Sequence, residues 1–156
     1  MAASSPPPSS PRRDPFLAFC FRVTIEDANI GTATGFFKSA GGLSIETEVI
    51  DYREGGVNNT THKIIGATKY KNITLKRGFS GMELVAWREA WLNGPLKKRS
   101  IGTIEQLSPN PKAGPIATWT FVEAFPAKWE LSEFDASKSE CSIETLEIAH
   151  EGLTRR

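Results

Sequence analysis

The sequence predicts a mainly β fold of roughly six to eight strands with a single helix. Three observations carry this reading. The run FLAFCFRVTIE, Phe16 to Glu26, alternates apolar and polar residues with a period of two. Gly, Pro, Asn and Asp clusters punctuate the chain between several further alternating runs. Only one stretch, after Ser80, repeats apolar residues at helical spacing.

The elements follow in order. Residues 1–14 are rich in Ser, Pro and Ala, a composition that builds no packed core. They are read as a disordered or extended arm ahead of one β domain, residues 15–156. In the first strand Leu17, Phe19, Phe21, Val23 and Ile25 share one face, and Arg22, Thr24 and Glu26 the other. Asp27-Ala28-Asn29 reads as a turn. A second strand is expected at about Thr32–Lys38, with Gly41-Gly42 as the next break. A long hairpin follows, its arms at about Leu43–Arg53 and Lys69–Arg77. Both arms alternate, and both keep a heavily polar face. Glu46 and Glu48 share one face of the first arm, with Lys69, Lys71, Lys76 and Arg77 available across the hairpin. Glu54-Gly55-Gly56 ends that arm, and Val57–Gly66 is expected as a long loop.

Ser80-Gly81-Met82-Glu83 matches a capping box, in which Ser and Glu satisfy each other's amides at a helix start. Leu84, Trp87 and Trp91, with Val85 and Leu92 alongside, form an apolar stripe; Arg88 and Glu89 face outward. This stripe reads as a core helix rather than a ligand site, each large side chain contributing about 2 kcal/mol or more when buried. Gly94-Pro95 closes the helix. A strand at Ile101–Leu107, a proline-rich turn over 108–115 and a strand at Ala117–Ala124, stopped by Pro126, come next. Trp129–Leu131 extends the last of these past a bend. A polar break at Ser132–Ser139 leads to a final strand at about Cys141–Glu151.

The chain has 156 residues, 39% hydrophobic and 24% charged, which suits one globular domain. A formal net charge of +1 excludes a general electrostatic grip on nucleic acid or anionic membrane. The local cluster Lys97-Lys98-Arg99 reads as a solvated face. No apolar run reaches the ~20 residues of a membrane span. The N-terminus lacks a secretory hydrophobic segment, and Arg12-Arg13 lacks the apolar stretch of a twin-arginine signal. Cytoplasmic assembly is therefore expected, and the Asn58, Asn59 and Asn72 glycosylation matches carry no weight. The 2 cysteines, Cys20 and Cys141, make neither a disulfide framework nor a four-cysteine zinc site and read as small buried side chains.

The search for chemistry is negative. His62 and His150 have no cysteine or carboxylate at metal-ligand spacing. No nucleophile elbow, phosphate loop or HExxH motif occurs. Paired carboxylates, Glu46 with Glu48 and Glu144 with Glu147, read as surface acids. No metal, cofactor or catalytic residue is expected. A long two-sided hairpin, by contrast, leaves more backbone edge than a small monomer can protect. It suits a subunit whose sheet continues into its neighbours.

With these stretches in hand, the chain resembles the contractile-tail inner tube proteins: phage tail tube proteins and their relatives in extracellular contractile injection systems. DPFLAFCFRVTIE, GGLSIETEVIDYREGG, KYKNITLKRG followed by the Trp87 helix, and FPAKWELSEFDASKSECSIETLEIAHEGL carry the likeness, from about Asp14 to Leu153. Two turns depart from the family pattern. Gly41-Gly42-Leu43 stands where Ser-Gly-Leu is usual, and Trp129-Glu130-Leu131-Ser132 where Trp-Glu-Gly-Pro is usual. The arm before Asp14 is also longer than the family's.

The resemblance implies a β-barrel or sandwich with one flanking helix, forming hexameric rings that stack into a rigid tube. A sheath would drive that tube through a target envelope, with DNA or protein as cargo. Implied partners are further copies of the chain, sheath, baseplate and tube-terminator proteins, and cargo in the lumen, without membrane insertion by this chain alone. Alternation then suggests Glu46, Glu48, Asn72, Thr74 and Lys76 as lumen or rim positions. The loop Glu54, Gly55, Gly56, Val57, Asn58, Asn59, Thr60, Thr61 and His62 is the candidate contact between rings. Two other classes are weighed: a monomeric β-sandwich binding module using Trp119 and Trp129 as an aromatic platform, and a hydrolase using Glu123 and Glu130. The latter lacks any base–nucleophile arrangement.

Overall fold

The alternation beginning at Phe16 continues into β1, Cys20–Asp27, whose Val23 and Ile25 are fully buried. The computed structural model describes residues 20–56, 60–78, 83–95, 97–110, 112–133 and 143–156. The arm at 1–14, the capping-box residues Ser80–Met82 and Cys141 lie outside these. Cys20 is half-buried at the start of β1.

The asparagine turn leads to β2, Gly31–Phe37, antiparallel to β1. The expected second strand ends there, and β3, Ser39–Gly41, pairs elsewhere. The hairpin consists of β4, Ile45–Tyr52, and β5, His62–Tyr70. Its second arm was expected at Lys69–Arg77. Instead Ile64-Ile65 and their neighbours, expected in the loop, form the partner strand. Ile73–Gly78 is a separate strand, β6, of the main body. The reason is burial: Ile73 and Leu75 sit at 0% exposure in the core, whereas both hairpin arms remain in solvent.

After helix α1, Glu83–Asn93, come β7, Ser100–Leu107; β8, Ala117–Leu131; β9, Ile143–Ala149; and β10, Gly152–Arg155. All ladders among the described strands are antiparallel. The main sheet runs β2-β1-β7-β8-β9-β6-β3, with β10 beside the first half of β8. The expected barrel or sandwich is thus an open sheet. Its ends, β2 and β3, are consecutive in the chain, and the intervening Lys38 amide donates to the Lys76 carbonyl at 3.0 Å. The sheet curls until its ends meet through the chain, with no ladder among the described residues sealing them.

One strand makes the curl. β8 pairs with β7 through its first half and with β9 through its second. Register shifts fall between Phe121 and Ala124 and between Pro126 and Lys128. Each extra residue reverses which face points inward, so Ala117, Phe121, Ala124 and Pro126 are all buried without strict alternation. Glu123 takes up the first bulge at φ 54°, a left-handed conformation costing a non-glycine residue about 1–2 kcal/mol. Pro126 is tolerated because it lies at the second bulge; its carbonyl accepts from Arg88 at 3.1 Å. Arg88 is therefore tied to β8 and not simply outward-facing.

Helix α1 covers the core through Leu84 and Trp87, at 1% and 0% exposure, while Trp91 is half-buried and stacked on Phe125 at 5.7 Å. Leu92 is largely exposed. Leu84 sits so close to Gly35 of β2 that a Cβ there would lie 2.9 Å from its Cδ1. Lys97 donates to the Trp91 and Leu92 carbonyls at the helix end and lies over the Trp91 ring. Arg99 pairs with Glu151 and lies over Phe125. The Lys97–Arg99 cluster thus secures the helix exit.

A polar cluster sits beneath. Trp87 Nε1 donates toward Asp27 Oδ2 at 3.3 Å and Ser100 Oγ at 3.2 Å, and Ser100 donates to Asp27 at 2.6 Å. Burial pushes the Asp27 carboxyl upward. The hydrogen bonds from Ser100, the Asn29 amide, Trp87 and the Ile30 amide together outweigh burial and hold it below the ordinary carboxylate value. Stability from Asp27 is therefore complete above its unfolded pKa near 4 and is lost as pH falls through its lower folded value. Asp27→Asn is expected to cost about 1.5–3 kcal/mol at pH 7, and the gap to the parent chain should shrink below about pH 4. Urea melts of both proteins at pH 7 and pH 3 measure this; a gap independent of pH would remove the carboxylate from the account.

Candidate assembly surface

The hairpin is the one part of the described chain whose apolar side chains face outward from both strands. The β4–β5 register runs from Ile45 opposite Tyr70 to Tyr52 opposite His62. Ile45, Val49, Ile50, Tyr52, Ile64 and Ile65 are all about half exposed or more, Ile65 at 85%. Isolated two-stranded ribbons are marginal in water, and apolar residues on such a ribbon are poorly satisfied there. The polar pairs along it are weak: Lys69 with Glu48 at 3.9 Å, Lys63 with Asp51 at 3.5 Å, and His62 with Glu54 at 3.7 Å. Exposed pairs of this kind contribute ~0–1 kcal/mol each.

The ribbon's shape is locally defined. A register shift between Thr47 and Val49 places an extra residue in β5 opposite Glu48. Gly66 permits it, since a Cβ there would lie 2.9 Å from the Glu48 carbonyl oxygen. Glu48 lies opposite this bulge, which is in β5, so alternation along β4 keeps Glu46 and Glu48 on one face; Lys69, opposite Glu46, pairs with Glu48. Of the expected cross-strand cations, Lys69 meets these acids. Arg77 instead forms a buried pair with Glu144 across β6 and β9, Nε to Oε2 at 2.7 Å. Trp129 Nε1 donates to the other Glu144 oxygen, also at 2.7 Å, and Phe37 lies under the Arg77 guanidinium.

The base of the hairpin is held tightly. Gly42 has φ +78°, and a Cβ on it would fall 1.9 Å from the Asn72 carbonyl oxygen. Gly41, where the family usually has serine, would bring a Cβ no nearer than 3.8 Å to its neighbour, so a side chain fits there. The Lys71 amide donates to the Ser44 carbonyl at 3.3 Å. His150, buried against Tyr70 and Phe121, places its ring nitrogens 3.1 Å from the Lys71 and Gly152 carbonyl oxygens. These contacts tie the base to the β body, and the arms project from it.

The sequence candidates divide between these regions. Asn72 lies in the connection after β5, whereas Thr74 and Lys76 point outward from β6 between buried Ile73, Leu75 and Arg77. Neighbouring β9 and β8 add Thr145, Glu147, Lys128 and Glu130 to that outer face. Glu54, Gly55, Gly56, Thr60 and Thr61 are exposed at the hairpin tip, and His62 begins β5. Val57, Asn58 and Asn59 lie outside the described residues. Trp129 is engaged by Glu144, and Trp119 packs partly against the core under Arg155. The two tryptophans therefore form no open aromatic platform. Glu130 is paired with Lys128, which holds its carboxyl below the usual range through a hydrogen bond and charge attraction.

A second outward surface escaped the sequence reading. Thr34, Thr24, Thr103, Thr120 and Thr154 lie side by side across β2, β1, β7, β8 and β10. Each is an unremarkable polar position in its own strand. Only the register aligns them into a neutral hydroxyl row.

Among the described residues no cluster of three metal-ligating side chains occurs, and no helix is long and apolar enough to cross a membrane. Comparison with known proteins then becomes informative. The chain is similar in structure to a chain of the anti-feeding prophage baseplate, 6-fold symmetrised, at 25% identity and TM-score 0.80, covering 93% of this chain and 97% of that one. It is also similar to a chain of the sheath-tube complex of PVC, an extracellular contractile injection system, in its extended state. That likeness has 23% identity and TM-score 0.75, covering 92% and 93% of the two chains. A chain of the anti-feeding prophage tube-terminating cap gives 24% identity and TM-score 0.74, covering 96% and 95%. At such identities the last two likenesses establish the fold. A search of curated protein sequences gives no significant match.

The curled open sheet with its projecting hairpin is the architecture of a tail tube protein. The sequence matches the family described as T4-like virus tail tube protein gp19 over residues 17–154, and the chain belongs to that family. It is a structural tube subunit, a component of a phage tail or of an extracellular contractile injection particle.

Proposed function

We propose that this chain forms hexameric rings that stack into a rigid hollow tube, assembled in the cytoplasm and driven through a target envelope by contraction of a surrounding sheath. The observation that carries this reading is the hairpin, which presents six large apolar side chains and, among the described residues, edges without a ladder. A ring turns such edges into specific contacts between copies, because a head-to-tail interface closes when its rotation is right. The six-fold symmetry of the similar baseplate assembly supports six copies per ring. The sheath-tube complex and the tube-terminating cap support sheath, baseplate and terminator proteins as partners. The role is structural and non-enzymatic, and needs no cofactor.

Within the tube, the outer face of β6 with Thr74 and Lys76 is the proposed lumen or rim surface, joined by Asn72 and the hairpin acids Glu46 and Glu48. The tip from Glu54 to His62 is the proposed contact between stacked rings. Negative-stain electron microscopy with mass photometry tests the assembly. Rings or tubes are expected, and a monomer that also fails to add to its own baseplate would overturn the reading. Deleting Gly55–Thr61 is expected to leave the fold and the rings intact while abolishing stacked tubes. Normal tubes from that deletion would remove the tip from the stacking interface.

A further inference from the structure

A groove of about 450 Å³ opens at the root of the hairpin, lined by Leu43, Ile45, Trp119, Leu153 and Arg155. Leu43, Trp119 and Leu153 also pack against the core, so the groove is an uncovered part of it. Through Ile45 it joins the β body to one face of the hairpin.

The register shows what that face carries. Residues directly opposite each other in an antiparallel pair point to the same side. β4 alternates without interruption, because the extra residue lies in β5. Ile45, Thr47 and Val49 therefore share a face with their partners Tyr70, Thr68 and Ile65. Tyr70 turns toward buried His150, with 5.6 Å between ring centroids, and Ile45 lines the groove, so the root of this face is turned to the body. The Thr47 and Thr68 hydroxyls lie 3.0 Å apart. From Ile45 to Ile65 the face carries no charged side chain; the pair Asp51 and Lys63 comes only toward the tip.

The opposite face has the reverse order. Glu46, Glu48 and Lys69 occupy its root, and Ile50, Ile64, Tyr52 and His62 its outer half. One face is apolar beside the body and charged toward the tip. The other is charged beside the body and apolar toward the tip. Ile64 and Ile65, adjacent in the chain, stand on opposite faces at 48% and 85% exposure.

We propose that the two faces of the hairpin bind two different copies of this chain. The body-facing side, together with the groove, packs against a neighbour in the same ring. Ile50, Ile64 and Tyr52 on the other side pack against a copy in the next ring. This division rests on the tube reading, which supplies copies as neighbours in both directions. Position decides which contact is which. Copies in one ring lie side by side, so their contact adjoins the body. A copy in the next ring is met where the hairpin reaches furthest, and Tyr52 and His62 adjoin the tip. Glu46, Glu48 and Lys69 stay in water, because covering them with either neighbour would cost their hydration.

Two substitutions one residue apart test the division. Ile65→Asp places a carboxylate in the contact within the ring, and Ile64→Asp places one in the contact between rings. Neither side chain is part of the core, and circular dichroism with a thermal melt verifies the fold. By mass photometry and negative-stain electron microscopy, Ile65→Asp is expected to lose rings and remain monomeric. Ile64→Asp is expected to keep six-copy rings and lose stacked tubes. If either aspartate unfolds the chain, Ile65→Ser and Ile64→Ser repeat the comparison. Tubes from both variants, monomers from both, or the reverse pattern would each overturn the division while the parent chain still assembles. A parent chain that forms no ring or tube, even on its own baseplate, would overturn the tube reading and the division with it.

Discussion

Glu144→Ala is expected to destabilise the protein by about 3–5 kcal/mol, among the largest effects of any single substitution here. Glu144 and Arg77 are both buried, and removing the carboxylate strands a guanidinium inside the protein. The change also takes the acceptor from Trp129 Nε1 and the cross-strand tie between β6 and β9. Two controls separate charge from packing. Glu144→Gln keeps the shape and an oxygen for Trp129 but loses the charge, and should fall between the parent and alanine. Replacing both partners with apolar residues of similar volume should recover much of the loss, because no isolated charge remains. Urea denaturation of the four proteins measures this. If alanine costs under about 1 kcal/mol, the pair behaves as a surface pair and its buried role is wrong.

Gly42→Ala is expected to cost about 3 kcal/mol or more and to disturb assembly further still. Two independent penalties coincide there: a left-handed backbone and a Cβ directed into the Asn72 carbonyl. The backbone on either side leads into β4 and follows β5, so relief of the clash must move the base of the hairpin. Gly41→Ser, one residue earlier, should be within about 0.5 kcal/mol of neutral, since that position has ordinary space. Thermal melts and electron microscopy of both variants form the test. Equal behaviour of the two would mean that the close approach at Gly42 is not what orients the hairpin.

These two predictions show how unevenly the structure was written in the sequence. Period-two alternation located β1 because Val23 and Ile25 on one face are fully buried there. The Leu84–Trp87–Trp91 spacing located the helix for the same reason. Alternation failed along β8, where two bulges reverse the inward face and carry the strand past Pro126 to Leu131. It also failed for the hairpin. With neither face buried in the isolated chain, the pattern distinguishes poorly between Lys69–Arg77 and the actual arm, His62–Tyr70. The Arg77–Glu144 pair was hidden because sixty-seven positions separate its members. The threonine row was hidden because it exists only across five strands.

The sequence by itself determined the class: a mainly β chain with one helix, no catalytic constellation, and a long polar-faced hairpin resembling that of tube proteins. Those properties are local in the chain, set by side-chain periodicity, turn residues and the residue types that chemistry requires. Tertiary structure alone decided which strands pair, that the sheet stays open with its ends joined at Lys38, and that Gly42 rather than Gly41 holds the hairpin base. It also decided that the hairpin, and not the tryptophans, carries the run of large exposed apolar side chains. Such choices depend on register and burial between distant segments, where a shift of one residue exchanges core for solvent.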